Sequence, residues 1–187
     1  MTPFTVLTAP VAVLERANID TDQIIPARFL RKPRSAGYQH FLFADQQWHK
    51  PTDAGILIAG TNFGCGSSRE GAVYALVDAG ITCVIAPSFG DIFAGNAAQN
   101  GLLTIALALP GLHDGDLLTV DLPAQQIRRA DGTLLPFEID PFRKQRLLEG
   151  RDDIDLTLAQ DPAIAAFEAR DPRARPWARA TITSSRN

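Results

Sequence analysis

Three short stretches of the chain are apolar at nearly every position: Gly55 to Gly60, Ile81 to Ala86 and Leu102 to Leu109. Runs of this length and kind belong to strands covered on both faces, as in a parallel sheet. Between them the period changes. From Arg69 to Ala79, Ala72, Leu76 and Ala79 share one helical face, as do Val73 and Val77, and Gly80 stands where a helix-ending glycine belongs. Ile92 to Gln99 reads as a second helix, stopped by Asn100-Gly101. Alternation of strand and helix in this order predicts a parallel sheet with right-handed crossovers.

The flanks of this unit read differently. Phe4 to Leu14 is a Val-, Leu- and Thr-rich strand interrupted by Pro10, and Asn18 to Pro26 turns through Asp20-Thr21-Asp22. Ala27 to Lys50 has no clean period. It carries Arg28, Arg31, Lys32 and Arg34, then a cluster of aromatics, and a loop of that length in a compact domain is functional or disordered. Asp116 to Leu122 and a hairpin around Asp131-Gly132 predict antiparallel strands. Pro141 to Glu149 predicts a helix ended by Gly150, and Pro162 to Arg170 a last helix with Ile164 and Phe167 on its apolar side. The expected fold is α/β, a mostly parallel central sheet flanked by helices with an antiparallel and helical C-terminal part. The expected domain spans 1–170, with a loop at 27–50 that is mobile until a partner binds and a flexible tail at 171–187.

Composition narrows the function classes. The 187 residues are 45% hydrophobic and 21% charged, the balance of a globular protein. A formal net charge of −3 leaves no basic excess for phosphate backbones, so nucleic acid is not an expected partner. Met1 to Pro10 has no positive segment ahead of an apolar run, and no stretch approaches a membrane span, so neither export nor membrane insertion is expected. Cys65 and Cys83 are the only cysteines. They are too few for a four-ligand zinc site or an iron–sulfur cluster and too far apart for a CxxC pair, which predicts a reduced, cytoplasmic chain. Any cluster it works with must be held by another chain.

The segment with the most chemistry is Asn62-Phe63-Gly64-Cys65-Gly66-Ser67-Ser68-Arg69-Glu70, at a strand-to-helix junction. Such junctions present free backbone N–H groups and the positive end of the helix dipole, and Gly64 and Gly66 let a ligand come close to the backbone. That predicts an anion site. Arg69 opposes the dipole and fits better as a bidentate partner of a carboxylate or phosphate. Two readings stand for Ser67 and Ser68. Either one of them is the helix N-cap, or one hydroxyl is a reactive group whose alkoxide is stabilised by the dipole, backbone donors and Arg69. The spacing matches neither the G-x-S-x-G elbow nor the P-loop.

These residues resemble the signature of the aconitase-superfamily swivel domain. With Asn18-Ile19-Asp20-Thr21-Asp22-Gln23-Ile24-Ile25-Pro26 and Ile85-Ala86-Pro87-Ser88-Phe89-Gly90-Asp91-Ile92-Phe93, followed by Asn96 and Gly101-Leu102-Leu103, the chain resembles the bacterial-type small subunits of 3-isopropylmalate dehydratases from about Phe4 to Arg170. The resemblance implies a hydro-lyase that isomerises 2- and 3-isopropylmalate by dehydration and rehydration in leucine biosynthesis. It also implies a [4Fe-4S] cluster in a separate large subunit, with this chain closing the site as a lid. By resemblance Ser67 is the base that takes the carbon-bound proton, Arg69 binds a substrate carboxylate, Ser68 supports the loop with Gly66, and Asp22 is an acidic residue near the site. Arg34, or Arg31 in its place, supplies a second cation, and Phe29-Leu30-Arg31 falls where the substrate side chain is sensed.

One position departs from the family pattern. Glu70 is followed by Gly71 where a histidine is usual. The missing imidazole leaves open a paralogue acting on a related dicarboxylate of methylmalate or citraconate type. Other readings remain beside the resemblance: a solvated face for the Arg28–Arg34 cluster, small-residue packing for Cys65, and a turn or cap role for Asp20. For the whole chain, the alternatives are a stand-alone anion-binding module and a non-catalytic assembly partner.

Overall fold

The computed structural model describes residues 1–174. By contacts the chain divides into two compact units, Met1–Asp152 and a second beginning at Asp153. The first unit contains strands β1 (Val6–Leu14), β2 (Ile56–Ala59), β3 (Cys83–Ala86), β4 (Leu103–Ala106), β5 (Leu117–Asp121), β6 (Gln126–Arg129) and β7 (Leu134–Pro136). Its helices are α1 (Thr21–Ile24), α2 (Glu70–Asp78), α3 (Asp91–Gln99) and α4 (Pro141–Glu149). The seven strands form one sheet in the order β4-β3-β2-β1-β5-β6-β7. Pairing from β1 through β4 is parallel, and pairing from β1 through β7 on the other side is antiparallel.

Strand β1 joins the two halves. Val6–Pro10 pairs antiparallel with β5, whereas Val11–Leu14 pairs parallel with β2. Pro10 therefore does not end the strand, as its lack of an N–H would suggest; it stands where the pairing changes partner. The apolar runs are explained by cover on both faces. Ala12, Leu14, Leu57, Ala59, Val84 and Ala86 face one core, with Ala72, Val73 and Leu76 of α2 and Phe93 and Ala97 of α3. Val11, Ile56, Ile58, Cys83 and Ile85 face the other, with Leu118, Val120, Ile127 and Leu147 of α4. Burying such a side chain stabilises by about 1.5–3 kcal/mol, so both faces hold the sheet.

Local stops behave as their residues dictate. Gly80 and Gly150 adopt positive φ after α2 and α4, and Asp140 caps α4 by accepting from the Arg143 amide at 3.0 Å. In the second unit, α5 (Asp153–Leu158) and α6 (Asp161–Ala174) follow. Helix α5 has no counterpart among the expected elements, and α6 continues beyond the expected boundary at 170. Ile164 and Phe167 are partly exposed. The tail expected at 171–187 lies, from 175 on, outside the described residues.

The aperiodic segment 27–50 is built from three 3-10 turns, Ala27–Arg31, Arg34–Ala36 and Tyr38–Phe41. Single aromatic contacts fasten it. Tyr38 and Phe43 are buried, Phe29 stacks on Phe41 at 4.3 Å, and Phe43 meets Trp48 edge-on at 5.0 Å. The Tyr38 hydroxyl donates to the Lys32 carbonyl at 2.9 Å, and the Trp48 indole N–H to the Val13 carbonyl at 3.1 Å. Lys50 closes the segment by donating to the carbonyls of Pro51, Thr52 and Ala54 at 2.9, 3.0 and 2.9 Å. Packing of this kind is a measurable share of stability. Phe43→Ala should cost about 3–5 kcal/mol in urea unfolding; a loss below about 1 kcal/mol would mean that the segment is detached in solution.

Candidate active site

The loop after β2 is held in place by two other stretches of chain. On one side, the Gly64 amide donates to the Ile19 carbonyl at 2.7 Å and the Thr21 amide to the Cys65 carbonyl at 3.0 Å. The Thr21 hydroxyl donates to the Ser67 carbonyl at 2.9 Å. On the other side, the Phe63 amide donates to the Ser88 carbonyl at 3.0 Å, the Gly90 amide to the Phe63 carbonyl at 2.9 Å, and the Asn62 amide to the Ser88 hydroxyl at 2.9 Å. The three sequence blocks, far apart along the chain, meet here.

Close packing explains the glycines. A β-carbon on Gly64, whose φ is +72°, would stand 2.2 Å from the Phe93 ring, and one on Gly90 would stand 2.6 Å from the Gly64 carbonyl oxygen. Phe63, Phe89 and Phe93 pack as a ring cluster beneath, with Phe63–Phe93 centroids 5.4 Å apart. Gly66, also at positive φ, has ordinary contact distance to Asp20 and is exposed. Asp20 itself caps α1, accepting from the Gln23 amide at 2.7 Å, which settles its turn-or-cap reading.

Ser67 and Ser68 are exposed, and neither caps α2. The N-cap is Arg69, with no side-chain cap bond, so the capping alternative for the serines is corrected. The Ser67 carbonyl is pinned through Thr21, and the residue is exposed. Arg69 forms an ion pair with Asp22, which also accepts the Ala27 amide at 2.7 Å. That pair engages one Nη of Arg69 and leaves other guanidinium donors for a ligand. The Ala27 amide first, and then the Arg69 guanidinium, hold the Asp22 carboxyl below the ordinary aspartate range.

Arg34 is not brought to this loop. Its Nε lies 3.2 and 3.1 Å from the two Asp78 carboxylate oxygens and its Nη2 2.6 Å from Oδ1, and its guanidinium stacks on Tyr74 at 4.2 Å. Asp78 ends α2, about 13 Å along the helix from Arg69. In this structure two local partners, Asp78 and Tyr74, hold Arg34 at the far end of α2. Arg28 pairs with Asp45. Arg31 is exposed and forms no ion pair among the described residues. Thr21 is the residue that sequence reasoning misses. Its signal is weak, because nothing local marks a threonine as the holder of a residue 46 positions further on.

No three His, Cys, Asp or Glu side chains converge among the described residues. Cys83 is enclosed in β3, and burial pushes its thiol up, disfavouring the thiolate a metal needs. Cys65 is half-buried on the loop. The residues present do not fit an iron–sulfur cluster.

Comparison with known proteins bears on all of this. Residues 12–110 match the family model described as the aconitase C-terminal domain, and residues 113–141 match the model LeuD_N. Residues 153–181 match the C-terminal domain of the 3-isopropylmalate dehydratase small subunit. The 3-isopropylmalate dehydratase small subunit of Rhodospirillum centenum is 47% identical over 95% of this chain and 99% of its own length. That of Gluconacetobacter diazotrophicus is 48% identical over 95% and 97%. A crystal structure of 3-isopropylmalate dehydratase (leuD) from Methanocaldococcus jannaschii superposes with a TM-score of 0.72 at 28% identity, covering 87% of this chain and 99% of that one.

The Asp22 environment is directly testable. A carboxyl depressed in the folded state contributes stability above its unfolded pKa, and that contribution fades as the pH falls through the lower folded value. By carbon NMR, Asp22 should titrate below an ordinary aspartate. Arg69→Gln should raise its pKa only in part, because the Ala27 amide remains. An Asp22 that titrates at the ordinary value in the unaltered chain would contradict the arrangement.

Proposed function

The chain belongs to the family of 3-isopropylmalate dehydratase small subunits, and on that premise we propose how its residues take part in the reaction. The enzyme is a hydro-lyase that needs a large subunit as well as this chain, and it interconverts 2- and 3-isopropylmalate through loss and return of water. The observation that carries the assignment of roles is the exposed Ser67, pinned through its carbonyl, two residues from an arginine that pairs with Asp22. In dehydration, Ser67 Oγ as the alkoxide takes the proton from the carbon beside a carboxylate, the C–H electron pair forms the C=C bond, the neighbouring C–O bond breaks to release hydroxide, and transfer of the proton from Ser67 to that hydroxide gives water and restores the alkoxide. Rehydration returns water with the positions exchanged. Proton abstraction beside a carboxylate needs a pre-oriented base and neutralisation of the carboxylate charge.

Arg69 neutralises that charge. Asp22 and the Ala27 amide keep the guanidinium aimed, and Gly66 and Ser68 let the substrate approach the loop. Arg31 is the cation of the 27–50 segment that supplies a second carboxylate contact; Arg34 instead fastens the segment to α2. An iron–sulfur cluster, which the large subunit rather than this chain would hold, would supply Lewis-acid assistance to the departing hydroxyl. No helix among the described residues is long and apolar enough to cross a membrane; a cytoplasmic setting is part of this reading.

The experiment combines this chain with a cluster-loaded large subunit and follows absorbance of the unsaturated intermediate. Turnover of 2-isopropylmalate is expected from the pair and from neither chain alone. Ser67→Ala should lower kcat by at least 1,000-fold, about 4 kcal/mol in activation free energy, with an unchanged unfolding curve. A near-normal rate in that variant would remove Ser67 from the role of base.

A further inference from the structure

The first turn of α2 has weak local support. Its N-cap is Arg69, which makes no side-chain cap bond, and Gly71 stands in the turn, the residue type that favours a helix least after proline. Glu70 suits the helix dipole there, and it also receives a tie from another helix. Asn100, at the C-cap of α3, donates from Nδ2 to Glu70 Oε1 at 2.8 Å and to the Asn96 carbonyl at 2.9 Å. Its own amide donates to the Ala97 carbonyl at 3.0 Å, so Asn100 is fixed to α3 before it reaches across to α2. Helix α3 is itself anchored, with Phe93, Ala94, Ala97 and Ala98 buried and the Phe93 ring filling the space above Gly64. The other side chain that meets Glu70 is Tyr74, one turn along α2.

We propose that Asn100 is a positioning residue for Arg69: by holding the Glu70 carboxylate it fixes the first turn of α2 to the end of α3, and with it the backbone from which Arg69 reaches Asp22 and the substrate carboxylate. The inference rests on the functional reading above, in which Arg69 binds that carboxylate. Arg69 is a long side chain, and its guanidinium end is held by Asp22, which the Ala27 amide holds in turn. Fixing the far end alone leaves several rotamers that reach it; fixing the backbone as well removes that freedom. A hydrogen bond to a carboxylate is of the stronger kind, and 2.8 Å is its ordinary length. Asn100 acts here through Glu70, with no contact to the reacting atoms required. The bond also gives a role to the last sequence block, which the acid–base chemistry leaves unused: Asn96 accepts from Asn100, and Gly101, at positive φ, lets the chain leave α3 directly after it.

The test exchanges the two partners. Asn100→Asp sets a carboxylate against Glu70. Adding Glu70→Gln to it restores an amide–carboxylate bond with the donor now on α2, at the net charge of the unaltered chain. In the isolated chain, followed by carbon NMR, Asn100→Asp should raise the Asp22 pKa by at least half of the rise seen in Arg69→Gln, and the double variant should return it. In the complete two-subunit enzyme, Asn100→Asp should raise KM for 2-isopropylmalate at least five-fold while kcat falls less than three-fold. The double variant should bring KM within two-fold of the unaltered enzyme. KM does not depend on the folded fraction, so a partly unfolded preparation does not mimic this result. An Asp22 titration that Asn100→Asp leaves unmoved would overturn the inference. So would a defect that persists undiminished in the double variant, which would trace it to the lost bond to Asn96. A shifted Asp22 with an unmoved KM would support the tie and remove Arg69 from carboxylate binding. An unaltered complex with no turnover would overturn the functional reading, while the Asp22 result would still decide whether Asn100 positions Arg69.

Discussion

One buried threonine holds the loop on which the chemistry depends. Thr21 donates its amide to Cys65 and its hydroxyl to Ser67, two carbonyls of a single glycine-rich turn. A loop with positive φ at Gly64 and Gly66 has little conformational preference of its own. The cross-links from Thr21 and Ile19 on one side and Ser88 on the other select one geometry. Because these bonds go to backbone groups, the Ser67 side chain is left unengaged. The site is rigid in its main chain and open in its side chains, the arrangement that a pre-oriented base requires.

The charges are arranged in the same way. Arg69 at the start of α2 is unfavourable to the helix dipole taken alone, and Asp22 offsets that while fixing the direction of the guanidinium. Asp22 is in turn kept ionised by the Ala27 amide, which belongs to the first residue of the 27–31 turn. A single carboxylate therefore links the loop, the helix start and the irregular segment. Loosening any of the three shifts the other two. Arg34 plays no part in this, since its bidentate pairing with Asp78 and its stacking on Tyr74 serve to hold the segment along α2.

How much was legible in the sequence follows from the range of each interaction. The parallel strands and α2 and α3 were readable because cover on both faces writes an unbroken apolar run, and because a glycine such as Gly80 ends a helix locally. The convergence of the three blocks was readable only through resemblance, since no local rule connects Thr21 to Ser67. The 27–50 segment was opaque for a different reason. Its turns are held by separate aromatic anchors, Tyr38, Phe43 and Trp48, which follow no period. The pairing of Arg34 with Asp78 was not legible because its partner lies 44 positions away, and the serine caps failed because Arg69, not a serine, occupies the N-cap.

The glycine at position 71 shows how a departure from a family pattern is read in physical terms. Seen in the sequence, it is an absent imidazole and a weakened helix, which suggests lost function or another substrate. Seen in the fold, the space beside Gly71 is filled from elsewhere: a β-carbon there would stand 2.4 Å from Leu30 Cδ2, the end of a flexible side chain that would have to shift. Glycine at 71 and leucine at 30 are then one feature, and a change at either is a change in the packing between the turn and the helix. That contact lies two residues from Arg69, so packing between the turn and the helix reaches the start of α2 beside the ion pair with Asp22.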